Sequence, residues 1–147
     1  MLKNNEVSRD KKIEMQSIND NQFMIFTTDM KGKITYCNDV FAQTFDLERR
    51  DIENKKEFIE FKHPKVISLI YKDMWNELTE KGQWDGLLEK AIKDKEFWID
   101  TYIIKSMLDD QQVGYTGIAK KTVDSNVIHQ ADNLLYKKYG NYKSEQQ

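Results

Sequence analysis

A chain of 147 residues has the length of one ordinary domain, and its single cysteine excludes an intrachain disulfide, a CxxC redox pair and a zinc site built from several thiolates. The 23 basic and 25 acidic side chains leave a net charge of −2 and are spread along the sequence, so no field favours nucleic acid or an anionic membrane as a partner. A hydrophobic share of 39% supports a core, while no stretch approaches the roughly eighteen apolar residues of a membrane helix and MLKNNEVSRDKK lacks a secretory apolar run, so the expected location is cytoplasmic without membrane insertion.

Residues 1–21 are polar, with Ile13, Met15 and Ile18 spaced for a flanking helix that ends at the turn-prone Asn19-Asp20-Asn21. Phe23 to Thr28 and Lys33 to Cys37 read as two strands of a hairpin closed by Asp29-Met30-Lys31-Gly32. Asn38 can cap a short helix carrying Val40, Phe41, Thr44 and Phe45, because its side-chain oxygen can accept from an unpaired first-turn amide. A second short helix is expected after Asp46. The only proline, Pro64, opens a longer helical pattern with Val66, Ile67, Ile70, Met74, Trp75 and Leu78 on one stripe and Gly82 at its end.

From Trp84 the apolar period changes from helical to two, through Trp84–Ile92, Phe97–Leu108 and Val113–Val123. Lys93-Asp94-Lys95 and Asp109-Asp110-Gln111 separate these three strands. Neither turn contains the glycine that tight hairpins favour, so longer or bulged loops are expected. The tail, 124–147, is polar and partly helical, with Val127, Ile128, Ala131, Leu134 and Leu135 at helical spacing. Two strands, short helices, one long helix and three strands together predict an α+β fold, a five-stranded antiparallel sheet with helices on one face.

This order and its punctuating residues resemble a PAS domain, in particular the sensor domain of bacterial aerotaxis and energy-taxis receptors. The resemblance rests on the Asp29-x-x-Gly32 turn leading to Asn38. It continues through His63-Pro64, Asp73-Met74-Trp75, Lys81-Gly82-Gln83-Trp84-Asp85-Gly86 and Phe97-Trp98, and ends at Gly114-Tyr115-Thr116-Gly117-Ile118. It sets the sensor domain at 22–123. It implies non-covalently bound FAD and reporting of redox state, with Asn38, His63, Trp75 and Phe97 at flavin-lining positions, Lys62 in place of an arginine and Tyr71 in place of another aromatic. Two positions depart from the pattern: Lys65 stands where the family has an acid, and Lys90 where it has an asparagine. An asparagine amide both donates and accepts, whereas an ammonium only donates and brings charge.

Lys90 shares a strand face with Leu88 and Ile92, the face expected to point inward. It reads either as a counter-ion for a bound anion or as a residue that snorkels to solvent or pairs within the protein. His63 reads as a cofactor contact, as a structural residue, or as the axial ligand of a haem. Trp75, Trp84 and Trp98 suit core packing, with Trp75 also suited to a cofactor wall. Cys37 reads as a buried strand residue, and no nucleophile with an evident base points to catalysis. The leading expectation is an FAD-holding redox sensor and not an enzyme, a homodimer that signals to a chemoreceptor, kinase or other effector. The alternatives are a cofactor-free PAS interaction module, and a small-anion receptor using Lys65 or Lys90.

Overall fold

The computed structural model describes residues 22–143, so the flanking helix expected in 1–21 lies outside the described residues. Strands β1 (Met24–Thr28) and β2 (Ile34–Cys37) form the opening hairpin. Its turn is built by Asp29, whose Oδ1 accepts from the amides of Lys31 and Lys33, both at 2.9 Å. Gly32 completes it at φ 95°, a left-handed conformation that a β-carbon disfavours, with the Trp75 ring lying directly over it. Helices α1 (Asp39–Thr44) and α2 (Arg49–Ile52) and a single 3-10 turn (Phe58–Phe61) lead to the long helix α3 (Ser68–Lys81). Strands β3 (Gln83–Ile92), β4 (Lys95–Leu108) and β5 (Gln111–Thr122) follow, then helix α4 (Ser125–Tyr139) in the otherwise polar tail.

The five strands form one antiparallel sheet in the order β2-β1-β5-β4-β3. The first and last thirds of the sequence therefore meet at the β1–β5 seam, where Phe26 sits opposite Gly117. A β-carbon at Gly117 would stand 2.2 Å from the Phe26 ring, so glycine here makes room for an aromatic in the core. Phe26 stacks on Phe58 with centroids 4.9 Å apart, and Phe41, Phe45 and Phe61 extend the cluster. Each such fully buried ring is worth about 2–3 kcal/mol of apolar transfer energy, which fastens the short helices to the inner face of the sheet.

The long helix begins later than its apolar stripe predicts. The amides and carbonyls of its expected first turn are used elsewhere. The Lys65 amide donates to His63 Nδ1 (3.0 Å), and the Ile67 amide donates to the Tyr142 carbonyl (2.8 Å). Lys62 Nζ meanwhile donates to the carbonyls of His63 and Val66. With those groups engaged, 64–67 stays non-helical and Ile67 is extended at ψ 142°.

The turns themselves are tighter than expected, although the β4–β5 hairpin does carry an irregularity, a register shift between Ser106 and Met107. Ile92 pairs with Lys95 and Leu108 with Gln111, leaving two-residue turns. Asp109 and Asp110 supply the left-handed backbone (φ 51° and 67°) that glycine would otherwise provide, and Lys93 does so at φ 55°. Short Asp side chains tolerate this region better than most residues, which is why the turn closes without glycine.

Candidate functional site

The alternation of β3 turns Leu88 and Lys90 to the inner face, and Glu89 to the outer one. Lys90 is fully buried at 0% exposure, and its Nζ has no hydrogen-bond or ion-pair partner among the described residues. It therefore neither snorkels to solvent nor forms a salt bridge. Its neighbours are aromatic faces, with Nζ 4.8 Å from the Phe58 centroid and 4.9 Å from that of Tyr71, close enough for cation–π attraction. Burial pulls the amine from the ordinary 10.5 down to about 7, because the apolar surroundings penalise the charged form.

Tyr71, on α3, is also buried, and its hydroxyl has no partner among the described residues. Burial, and after it the charge of Glu89, pushes its phenol well above the usual range, so it remains a donor at any ordinary pH. Beyond the two rings that cover Lys90 lies a cavity of about 570 Å³. It is lined by Phe58, Tyr71, Met74 and Trp75, with Gly32 and Leu69 at its edge. Its volume falls in the range of small-molecule sites, about 300–1,000 Å³. Phe58 and Tyr71 are thus shared walls, with an orphaned ammonium on one side and an apolar cavity on the other.

Of the remaining sequence-predicted residues, Phe97 stands directly opposite Lys90 on the neighbouring strand, while Asn38, Lys62 and His63 make separate contacts. Asn38 caps α1: its Oδ1 accepts from the amides of Phe41 (3.0 Å) and Ile25 (3.1 Å), and its Nδ2 donates to the Phe23 carbonyl (3.0 Å). Lys62 braces the 63–66 turn. His63 is buried, with Nδ1 accepting from Lys65 and Nε2 lying 2.5 Å from Glu96 Oε2. Because an amide can only donate, Nε2 carries the proton and gives it to Glu96, and the imidazole holds no lone pair free for the axial bond of a haem. Phe97 packs against Phe45 at 6.2 Å, and Lys121 Nζ lies 4.7 Å above its ring. Lys65 contributes its backbone amide to His63. Cys37 is buried in β2, where burial and the charge of Glu53 push its thiol up to about 11, leaving it protonated and unreactive.

Sequence reasoning missed the outer-face partner set. Glu89 is 7% exposed and pairs through Oε2 with Lys143 Nζ at 2.9 Å, while Lys143 also reaches Glu96 at 3.6 Å. The hydrogen bond from His63, and after it the charge of Lys143, holds the Glu96 carboxyl below its ordinary range.

A five-stranded antiparallel sheet of this order, with short helices and one long helix against its inner face, is the PAS fold. The chain has this fold, and its sequence resembles aerotaxis sensor domains. No protein-family model matches the chain. Its sequence is 24% identical over 119 residues to the aerotaxis receptor of Escherichia coli (strain K12), a match that spans 80% of this chain and 23% of the receptor. Among solved structures it is similar to the PAS domain of a protein from Colwellia psychrerythraea, with 18% identity, TM-score 0.59, and coverage of 79% of this chain and 97% of that one. It is also similar to the dark structure of the blue-light photoreceptor Aureochrome1 LOV, with 14% identity, TM-score 0.64, and coverage of 87% and 94%.

Proposed function

We propose that this PAS domain is a cytoplasmic sensor that binds FAD non-covalently, follows its redox state and signals to a partner protein. The observation that carries the reading is a cavity walled by Tyr71, Met74 and Trp75, with the unpartnered Tyr71 hydroxyl in its wall and the unpartnered Lys90 ammonium behind the Phe58 and Tyr71 rings. An unpartnered buried ammonium costs several kcal/mol, and a ligand that brings acceptors recovers part of that cost. The carbonyl and ring-nitrogen edge of an isoalloxazine supplies such acceptors, so the donor set fits a flavin. Lys90 also keeps the donor half of what the family's asparagine offers. Bound flavin supplies reversible one- and two-electron reduction.

The chain's own residues do the rest. Trp75 and Tyr71 provide flat walls for the ring system. Tyr71, in the cavity wall, donates towards acceptors there, and Lys90, behind the Phe58 and Tyr71 rings, responds to added negative charge more strongly than an amide would. Because Lys90 points inward and its neighbour Glu89 outward, a shift of β3 at this point is felt on both faces of the sheet. The similarity to an aerotaxis receptor supports a chemoreceptor or kinase as the partner.

The test is the absorption spectrum of untagged protein purified from flavin-replete cells, with identification of any ligand released on denaturation. Flavin bands with FAD in the released fraction support the reading, and a protein that stays colourless after incubation with FAD overturns it. A second reading, a cofactor-free homodimerisation module, is favoured by one specific feature. Ile25, Ile118 and Tyr102 stand opposite one another across β1, β5 and β4 on the outer face, each more than a third exposed.

A further inference from the structure

On the outer face, α4 and the β3–β4 hairpin enclose a second cavity of about 400 Å³, lined by Glu89, Trp98, Ile128, Asp132 and Lys143, with His129 among its lining side chains. Glu89 is more than nine-tenths buried, and although Lys143 serves its Oε2, its Oε1 has no partner among the described residues. Trp98 is 8% exposed and stands directly opposite Glu89 on the neighbouring strand, giving the carboxylate an aromatic neighbour.

The local charges do not balance. Lys143, the one ammonium lining the cavity among the described residues, serves both Glu89 and Glu96, Asp132 also lines the cavity, and His63 adds no charge because Nδ1 accepts the Lys65 amide. Asp132 accepts from the neutral Tyr142 hydroxyl. One further positive group with N–H donors would satisfy Glu89 Oε1 and offset the excess negative charge.

We propose that this cavity binds a small organic cation of the primary alkylammonium class. The cation's N–H groups are received by Glu89 Oε1, and its apolar stem lies against Trp98 and Ile128. The cavity already holds one group of this kind, the butylammonium end of Lys143, on the other oxygen of the same carboxylate. An aromatic face beside a carboxylate suits an organic cation through cation–π attraction. A metal ion is disfavoured although His63, Glu89 and Glu96 lie close enough to share one, because His63 Nε2 presents its proton and not its lone pair to the cluster. This site is on the opposite sheet face from Lys90 and does not depend on the flavin reading.

Calorimetric titration of the full chain with n-butylammonium chloride, against sodium chloride at matched ionic strength, tests it. The expected result is saturable one-to-one binding. Glu89→Gln should weaken it about tenfold or more, the loss that follows removal of a charge-assisted hydrogen bond. Lys143→Gln should tighten it by removing the competing ammonium, and tetramethylammonium, which has no N–H, should bind more weakly. Lys90→Met should leave it unchanged. Absence of saturation, or equal affinity in Glu89→Gln and the parent, overturns the proposal. If Glu89→Gln does not fold, unchanged or weaker binding in Lys143→Gln overturns it instead.

Discussion

Replacing Lys90 by methionine keeps the length of the side chain and removes the charge. In ligand-free protein the amine is held at about 7 against an ordinary 10.5, and the group is fully buried. A difference of that size corresponds to a folding cost of about 4 kcal/mol near neutral pH. Cation–π attraction to Phe58 and Tyr71 offsets about 2 kcal/mol of it, so Lys90→Met should stabilise the protein by about 2 kcal/mol, or about 5 °C in Tm. The pH dependence is the sharper signature. Below about pH 7 the lysine is protonated in both the folded and unfolded states, and the cost is present in full. As pH rises from about 7 towards 10.5 only the unfolded state still holds the proton, so native stability increases, by up to about 1.4 kcal/mol per pH unit. Urea denaturation followed by tryptophan fluorescence, from about pH 6 to 9, measures both effects. The parent should gain on Lys90→Met as pH rises, closing most of the gap. Parallel profiles, or a variant less stable than the parent at neutral pH, would refute the reasoning.

Other substitutions test the surroundings of the site. Gly117→Ala drives a methyl group into the Phe26 ring and should destabilise the domain by about 1–3 kcal/mol, read as a lower urea midpoint at unchanged slope. Asn38→Ala removes the α1 cap together with the ties to Ile25 and Phe23, and should cost about 1–3 kcal/mol in thermal or urea unfolding. Tyr71→Phe removes a buried hydroxyl that has no partner, and should leave ligand-free protein equally stable or more stable by about 1 kcal/mol in the same assay, while weakening flavin binding.

The architecture was legible because the apolar period changes at Gly82 from that of the long helix to that of three successive strands, and because Asp29, Gly32 and Asn38 punctuate the opening hairpin through short-range hydrogen bonds. The start of α3 was not legible. It is decided by Lys62 folding back onto nearby carbonyls and by Tyr142, whose carbonyl arrives from the far end of the chain. The turn at Asp109-Asp110 misled for a related reason: preference for glycine describes an average, and two short acidic side chains occupied the same backbone region.

The candidate site was half legible. Alternation put Lys90 and Leu88 on one face, and the structure keeps both buried there. What alternation could not reveal is whether the ammonium finds a partner, since that depends on Phe58 and Tyr71 from distant segments. His63 and Glu96 are 33 residues apart, and Glu89 and Lys143 are 54 apart, so neither pair leaves a pattern in any local window. Likewise, Asn38 matched the family position, but its polar atoms are committed to the backbone.

The most direct measurement is a titration of FAD into ligand-free protein, followed by quenching of flavin fluorescence and by sharpening of its visible absorption band. Saturable one-to-one binding is expected, lost when Trp75→Ala opens the cavity wall and weakened when Lys90→Met removes the positive charge behind the Tyr71 ring. Flavin that stays fully fluorescent with the parent protein, or that binds equally well to both variants, would contradict it.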